Sequence, residues 1–514
     1  MNRTTLSLIA GTAALAAVTG FASLSAPGAS GTDTARAAAE LPVERTSLLC
    51  PAPSTSDLAE TSYTSFTPVT KGTGSDGRSA FQAAAGQSAD GTGDTGKTDG
   101  KNGDKKGGDK KGGKKKTGAP TLTPKEPGTP VTADASGSDT PGLVGTAEGK
   151  FAPGWTVQET TEVAAGNGRG LQGVNCTAPD TEFWFPGAST ATGRTDYVHL
   201  TNPDDSAAVA DIELYGKDGD LKSTVGEGIT VPPHSSEPIL LSTLTDEKQT
   251  DLTVHVNVRS GRLGAAVQAL DDKAGGDWLA AATDPSGSLV LPGIPKDATS
   301  VRLIAFTPGD ADADLKVRLA SPTGSITPAG NETLHVKAGM TTAADLGDVT
   351  RGEAGSLILT PTGQSVPVVA ALKVVRGKGA KQETAFIPAT APVGTRATSA
   401  DNSGKGTTLS ITAPTRTAQV KVTASAGSDG GTAVSKTYTI KAGTTQDVDA
   451  PVPSGPKGTY ALTVEPVSGG PVYAARTLAV TEGGVSGFTV QTLPDDRGMV
   501  AVPETDQDLS VLQK

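Results

Sequence analysis

The chain contains 514 residues, with 44 lysines and arginines against 55 aspartates and glutamates, which gives a formal net charge of −11. A chain this acidic has no general affinity for nucleic acid. Aromatic residues make up only 4% of the sequence, which argues against a large stacking surface for sugars or bases. The 65 glycines and 35 prolines favour short strands joined by many turns.

The first 39 residues have the pattern of an export signal. Arg3 is the only charged residue among the first thirty, and residues 6–26 are apolar or small. Small-residue cleavage sites follow at Ala35–Ala37 and Ala37–Ala39, as in a secretory signal peptide. An uncleaved membrane anchor over residues 6–26 is the alternative, because about 20 such residues can cross a bilayer. Both alternatives predict a secreted or extracytoplasmic protein, and the second adds a membrane tether.

The two cysteines, Cys50 and Cys176, are the only ones in the sequence. An even pair in an exported chain predicts one disulfide, since the compartment is oxidising. Two free thiols are the alternative.

The sequence between these cysteines changes composition sharply. Residues 40–70 and 141–180 contain strand-like runs and predict a small N-terminal β unit. Residues 71–140 are poor in apolar side chains, and within 97–116 nine lysines stand against three aspartates. We expect this insert to be disordered, because it cannot bury enough surface to offset its ordering entropy. It acts either as an electrostatic tether to anionic wall polymer or lipid, or as a soluble spacer.

From residue 181 onward the sequence repeats about every 100 residues, the size of an immunoglobulin-like sandwich. The copies are predicted at 181–285, 286–380 and 381–482, followed by a C-terminal extension over 483–514. Three features recur: an apolar run ending in proline, a turn in the middle and a closing small-residue strand. The runs are Phe183–Pro186, Leu289–Pro292 and Ala385–Pro388; the turns include Val231–His234, Val336–Thr341 and Ile440–Thr445; the closing strands are Leu263–Val267, Val368–Leu372 and Val472–Arg476.

Strand periodicity agrees with this repeat. Leu252, Val254, Val256 and Val258 alternate with polar residues, which predicts a strand with one buried and one exposed face. No sustained helical periodicity is present. The nearest helical candidate, residues 341–346, is followed at once by glycine and is predicted to form a single turn.

Two motifs suggest ligand chemistry but lack its full pattern. Gly168, Gly170 and Gly173 match G-x-G-x-x-G, yet no helix is predicted after them to receive a dinucleotide phosphate. Residues 310, 312 and 314 are aspartates spaced as in a calcium loop. Leu315 and Ser321 occupy the positions where that loop needs glycine and glutamate, so a turn rich in solvated aspartates is the preferred interpretation.

No catalytic, cofactor-binding or metal-ligating residue is predicted. The four histidines, His199, His234, His255 and His335, lack partners at metal-ligand spacing, and His199 and His255 are expected on exposed strand faces. No G-x-S-x-G motif occurs, and carboxylates are too abundant to single out a glycosidase pair.

Two isolated tryptophans are candidate contact residues. Trp184 lies eight residues after Cys176, and we expect it to be buried near the disulfide, with a ligand platform as the alternative. Trp278 is expected on a loop, where a binding role and a role in covering the sandwich edge are both open.

Several short elements resemble a family of exported actinobacterial proteins known only as a domain of unknown function. They are Leu49-Cys50-Pro51, Val174–Pro179 leading into Glu182–Gly187, and Gly276-Asp277-Trp278. The resemblance covers roughly residues 40–500 outside the insert. It implies a secreted or membrane-tethered envelope protein, and it transfers no catalytic residue.

The sequence therefore predicts an all-β protein of tandem immunoglobulin-like β-sandwiches with a small N-terminal β unit and a disordered insert. By analogy of fold, we expect non-enzymatic binding or scaffolding at the cell surface. The alternative is an accessory or hydrolytic protein acting on cell-wall glycan. Candidate partners are a cell-wall polymer or another envelope protein, and no cofactor is expected.

Overall fold

The computed structural model describes residues 39–86, 122–223, 225–480 and 486–502. The predicted signal or anchor lies almost wholly outside the described residues, as do the lysine-rich part of the insert and most of the C-terminal extension. The described chain is nearly all β, as predicted, with only two single-turn 3-10 helices at Leu241–Thr243 and Gly379–Lys381. No helix in these ranges is long and apolar enough to cross a membrane.

The N-terminal β unit is a sandwich of two antiparallel sheets, with strand orders β2-β7-β4 and β6-β3-β8-β9. Tyr63, Leu143, Trp155 and Val157 fill the space between the sheets. A short strand, β1, precedes the sandwich, and β5 leaves it to pair with the next one. The strands are β1 (Ala39–Pro42), β2 (Arg45–Cys50), β3 (Ala59–Phe66), β4 (Gly77–Ala83), β5 (Ala85–Gly86), β6 (Val131–Ser136), β7 (Leu143–Gly149), β8 (Thr156–Val163) and β9 (Gly170–Asn175).

The predicted disulfide is confirmed. It joins Cys50, at the end of β2, to Cys176, just after β9, and so links the two sheets of the N-terminal sandwich. Both sulfurs lie in the core of this sandwich.

The prediction of disorder over residues 71–140 is wrong at both ends, because β4, β5 and β6 lie within that range. β4 pairs along its whole length with β7, and β6 pairs with β3. Composition hid these strands because backbone hydrogen bonds to neighbouring strands hold them, while few of their side chains are apolar. The part of the insert between Gly86 and Leu122 lies outside the described residues.

Sandwich 1 follows, with sheets β10-β16-β12-β13 and β18-β17-β11-β15-β5; β14 also pairs with β12. The alternating valines predicted for its central strand form β16, and they point into the core. Its strands are β10 (Glu182–Ala188), β11 (Arg194–Thr201), β12 (Ala208–Gly216), β13 (Gly219–Asp220), β14 (Ile229–Val231), β15 (Ser235–Leu240), β16 (Leu252–Ser260), β17 (Gly264–Asp271) and β18 (Gly275–Leu279).

Sandwich 2 repeats this arrangement, with sheets β19-β25-β21-β22 and β24-β20-β26-β27; β23 also pairs with β21. The single turn predicted at residues 341–346 is instead strand β24, since its backbone pairs with β20. Its strands are β19 (Leu289–Ile294), β20 (Ala298–Phe306), β21 (Ala313–Ser321), β22 (Gly324–Ile326), β23 (Thr333–Val336), β24 (Thr341–Gly347), β25 (Gly355–Pro361), β26 (Val369–Arg376) and β27 (Glu383–Pro388).

Sandwich 3 has sheets β28-β35-β30-β31-β34 and β33-β29-β36-β37; β32 also pairs with β30. A last strand, β38, pairs with β1. The remaining strands are β28 (Ala397–Asn402), β29 (Thr407–Ala413), β30 (Ala418–Gly427), β31 (Gly430–Thr432), β32 (Val434–Ile440), β33 (Thr444–Val448), β34 (Ser454–Lys457), β35 (Tyr460–Gly469), β36 (Tyr473–Val480), β37 (Gly487–Thr492) and β38 (Met499–Val502).

Two predicted boundaries of the repeat shift in the structure. The apolar run Ala385–Pro388 is the last strand of sandwich 2, although the sequence suggested the first strand of sandwich 3. The final strand β37 lies in the range predicted as a C-terminal extension. Both errors arise because the first and last strands of a copy are short, apolar and followed by turns, so sequence alone does not distinguish them.

The N-terminal sandwich is a fourth copy of the repeat. The main strands are counted one to eight in each copy, leaving out the short strands β5, β13, β22, β31 and β34; among the described residues the N-terminal sandwich has no fourth. In one sheet of every copy, the sixth main strand lies between the first and the third. In the other sheet, the second and seventh lie side by side between the fifth and the eighth. The order β2-β7-β4 matches β10-β16-β12, and β6-β3-β8-β9 matches β15-β11-β17-β18. In chain order, the insert between Gly86 and Leu122 therefore falls where the other copies have their fourth strand.

The four copies close into a ring, which we define as the four sandwiches within residues 42–499. The sheet containing the first strand of each copy packs on the sheet containing the last strand of the next copy. Sandwich 1 meets sandwich 2 through Trp184 and Phe306, and sandwich 2 meets sandwich 3 through Ser356 and Thr412.

The remaining two contacts complete the ring. Sandwich 3 meets the N-terminal sandwich where Ala400 and Ala461 pack on Phe66, and the N-terminal sandwich meets sandwich 1 through Leu49 against Gly264. Head-to-tail contacts of this kind close when the rotation per copy matches the number of copies.

Candidate functional site

The last strands of the four sandwiches meet at the centre of the ring. β18 packs on β9 and β27, and β37 packs on the same two strands. Each of these four strands, here called the central strands, is the edge of its own sheet. An edge strand is exposed to unwanted pairing unless something covers it, and here the central strands cover one another.

Asp277, on β18, is the residue that joins the central strands. Its Oδ1 accepts hydrogen bonds from the backbone N–H of Gly173 on β9, at 3.0 Å, and from the Thr489 hydroxyl on β37, at 3.0 Å. The backbone N–H of Phe386 on β27 also stabilises its charged form. One carboxyl group therefore interacts with all three other sandwiches.

The electrostatics of Asp277 are dominated by burial. Its side chain is fully buried, and burial raises its pKa well above the usual 3.8, despite the hydrogen bonds that oppose the shift. Its Oδ2 has no hydrogen-bond partner among the described residues. Burial therefore favours the neutral form of this carboxyl group, whose Oδ1 acts as a structural acceptor at the centre of the ring.

The glycines of the G-x-G-x-x-G match serve this centre. A Cβ on Gly173 would lie 2.0 Å from Gln491 Nε2, and one on Gly168 would lie 2.6 Å from Leu270 Cδ2. The motif runs from a turn into strand β9, with no helix after it. Close approach of the central strands explains the glycines without a dinucleotide.

His199 lies on β11, at the contact between the N-terminal sandwich and sandwich 1. It is 3% exposed, so the expectation of an exposed face is wrong, since the N-terminal sandwich covers this face. Burial lowers the pKa of His199 to about 4, and neither ring nitrogen has a well-formed hydrogen bond among the described residues. A small crevice beside it is lined by Leu49, Pro51, Val174 and Ala266.

The contact between sandwich 3 and the N-terminal sandwich is polar at its core. Arg476 Nη2 donates to Gln158 Oε1 at 2.8 Å, and the Thr160 hydroxyl donates to Asp401 at 2.8 Å. Gln158 Nε2 in turn donates to Asn175. Burial lowers the pKa of Arg476 to about 10, with the Asp401 carboxylate opposing the shift. The N-terminal sandwich thus supplies one hydrogen-bond partner of a fully buried guanidinium, whose Nε also donates to Ser399 of sandwich 3.

The strand registers reveal an unusual core position. Val267, Leu372, Arg476 and Glu159 occupy equivalent places in the seventh main strand of the four copies. Sandwiches 1 and 2 have an apolar residue at this core position. Sandwich 3 has an arginine there, and the N-terminal sandwich has a glutamate. Neither carboxylate oxygen of Glu159 has a hydrogen-bond partner among the described residues. Burial raises the pKa of Glu159 well above its usual value.

The contact between sandwiches 1 and 2 holds the densest aromatic cluster. Trp184 stacks on His255, with ring centroids 3.7 Å apart, and on Phe306, which also packs against Tyr215. His255 Nδ1 lies 2.8 Å from Glu213 Oε2. Trp184 is buried as expected, but it packs on His255 of sandwich 1 and Phe306 of sandwich 2 and not on the disulfide. His255 is largely buried, so its predicted exposure is wrong.

Trp278 lies on strand β18, not on a loop, and packs against Val174 and Ala266.

Two aspartates of the predicted triplet lie close to His335. Asp314 is 2.8 Å and Asp312 is 3.5 Å from a nitrogen of its ring. Within the described ranges, no group of three or more histidine, cysteine or acidic side chains is arranged to hold a metal ion.

Most of the unusual buried groups therefore lie at contacts between sandwiches. The glycine match contained Gly173 and the family element contained Asp277. The hydrogen bond between them was not predicted, because the two residues lie 104 positions apart. Arg476 ends the third closing strand where Val267 and Leu372 end the other two, but a charged residue in a strand is usually exposed, so its burial was not predicted. Glu159 lies outside the predicted repeat and gave no signal.

Asp277→Asn is expected to change the free energy of unfolding by less than about 1 kcal/mol, because a neutral amide keeps the acceptor oxygen. Asp277→Ala leaves the Gly173 N–H and the Thr489 hydroxyl unpaired, and should cost about 1–3 kcal/mol for each. Urea unfolding measures both variants, with Thr489→Val as the control that removes one donor. An alanine variant as stable as the parent would contradict the role of Asp277.

Glu159 should make the N-terminal sandwich less stable as pH rises. Its folded pKa is raised, so its contribution is fully present below about pH 4.5 and is lost as pH rises through the folded value. Glu159→Gln should remove this loss, and Asp134→Asn, at an exposed position on β6 of the same sheet, should not. Hydrogen exchange of β3 and β8 amides between about pH 4 and about pH 9, corrected for intrinsic exchange, measures it. Equal pH dependence in parent and Glu159→Gln would refute it.

Comparison with known families matches residues 131–451 to a family of unknown function (DUF5719). No curated protein and no solved structure matches the chain. The matched range covers more than half of the sequence, from the fifth strand of the N-terminal sandwich into sandwich 3, and it includes Gly173 and Asp277. The chain belongs to this family of unknown function, DUF5719.

Proposed function

We propose that this protein is a non-enzymatic scaffold that binds cell-wall polymer or another envelope protein on the outer side of a bacterial membrane. The observation that carries the proposal is that buried polar groups form hydrogen bonds between sandwiches. Asp277 and Arg476 both lie at contacts between sandwiches, where their hydrogen bonds help to fix four domains into one ring. A rigid ring of small β domains suits the display of binding surfaces at fixed spacing.

The compartment is supported by two independent features. The disulfide between Cys50 and Cys176 is of the kind that persists in oxidising compartments. The first 39 residues have the pattern of a secretory signal or an N-terminal anchor. Export through this segment places the ring outside the cytoplasm, either released or held at the surface.

The test is co-sedimentation of the purified full-length protein with isolated cell walls of the producing bacterium, together with an assay for released reducing sugar. We expect the protein to sediment with the walls and to release no sugar. Sugar release would favour the hydrolytic alternative and overturn the proposal. Failure to bind either walls or membrane-associated envelope proteins would also overturn it.

A matched variant separates the ring from the lysine-rich insert. Residues 97–116, which carry nine lysines and three aspartates, are replaced by glycine and serine at equal length. Binding that survives the replacement assigns the contact to the ring. Binding that is lost, and that in the parent falls steeply with salt, assigns it to the insert as an electrostatic tether.

A further inference from the structure

The third strand of the N-terminal sandwich differs from its three counterparts in what covers its outer edge. In sandwich 1, β14 pairs with β12; in sandwich 2, β23 pairs with β21; and in sandwich 3, β32 pairs with β30. These fourth strands are all antiparallel to the third. Within the described residues, β4 pairs only with β7.

Burial reflects this difference. Most residues of β12, β21 and β30 are buried or half-buried, whereas five of the seven residues of β4 are exposed. Phe81 of β4, whose ring packs on Trp155 with centroids 5.0 Å apart, is only half-buried. The sandwich thus presents a backbone edge beside a partly open core.

The other copies show what fits such an edge. Each fourth strand directs two apolar side chains, spaced two residues apart, towards its sandwich core. These pairs are Ile229 with Val231, Leu334 with Val336, and Tyr438 with Ile440. In the N-terminal sandwich Leu122 is buried in the core, so the chain itself supplies one apolar residue after the insert. The other three sandwiches each hold a fourth strand at the equivalent edge within the closed ring, so ring closure itself does not exclude one beside β4.

We infer that β4 is a docking edge for an extended segment of a partner protein, which adds a strand antiparallel to β4 with apolar residues at alternate positions. Strand addition of this kind takes affinity from backbone hydrogen bonds and specificity from every second side chain. The inference rests on the proposed binding function and names the surface through which one partner is held. Residues 87–121 contain no valine, isoleucine, leucine, methionine or aromatic residue, so this stretch cannot supply two large apolar side chains at alternate positions, which favours a separate chain as the occupant.

The first test is hydrogen exchange of β4 in the isolated full-length protein. Amides on its outer edge should exchange much faster than those of β12, β21 and β30, which are paired on both sides. Slow exchange throughout β4 would show that the chain covers this edge itself and would overturn the inference.

The second test uses a synthetic peptide with the sequence of residues 432–442, which contains β32. It should bind the full-length protein and slow the exchange of β4 amides. The matched control is the same peptide N-methylated at alternate residues, in both registers, which keeps the side chains and removes edge hydrogen bonds. We expect at least one of the two N-methylated peptides to have a Kd at least about tenfold higher than that of the unmethylated peptide, which corresponds to a loss of about 1.4 kcal/mol.

Equal binding of all three peptides, or binding without protection of β4, would overturn the inference. Neither result bears on sedimentation with cell walls, so failure of the docking edge and failure of the proposed function remain distinguishable.

Discussion

Mutual burial of four sheet edges is the constraint on which the ring depends. Each central strand leaves one row of backbone groups without a partner in its own sheet, and the ring brings the four rows together. Asp277 provides the shared acceptor at this point, bonded to Gly173 on one side and Thr489 on another. Glycine at 173 fits this close approach, because a Cβ there would force the side chains of Gln491 and Thr489 to shift. The geometry of the ring is thus set at its centre.

The four contacts around that centre differ in chemistry. Sandwiches 1 and 2 are held by aromatic packing of Trp184 and Phe306, and the core of sandwich 2 continues into sandwich 3 through Phe488 and Val490. The contact between sandwich 3 and the N-terminal sandwich, which closes the ring, relies instead on the hydrogen bond between Gln158 and Arg476. Burial disfavours the charged form of this guanidinium. Buried hydrogen bonds also join neighbours in sequence, such as that between Ser356 and Thr412, but there they accompany continuous apolar packing. A buried hydrogen-bonded contact demands one geometry, and it is located where chain-distant sandwiches must recognise each other.

Much of the fold could be predicted from the sequence, since it depends on local patterns. The alternation of Leu252, Val254, Val256 and Val258 identified a half-buried strand, and recurring turns identified three copies of one domain. The fourth copy was missed because the insert separates its third and fifth strands and dilutes their composition.

The site was less predictable, because it arises from contacts between copies. His199 looked like an exposed strand residue, and only the covering N-terminal sandwich makes it buried. Arg476 and Glu159 stand where the repeat elsewhere has valine or leucine; the sequence repeat already aligned Arg476 with them, whereas placing Glu159 there needs the strand register. Sequence motifs still contained the key residues: Gly173 in the glycine match and Asp277 in the family element. Their partners could not be named from spacing alone.

Ring closure is tested most directly by a distance between the N-terminal sandwich and sandwich 3. Spin labels are attached to cysteines introduced at exposed Glu60 and Lys405, while Cys50 and Cys176 stay in their disulfide and remain unlabelled. A closed ring predicts one narrow distance distribution that does not change on dilution. A broad distribution, as expected for four domains strung on flexible linkers, would contradict the account.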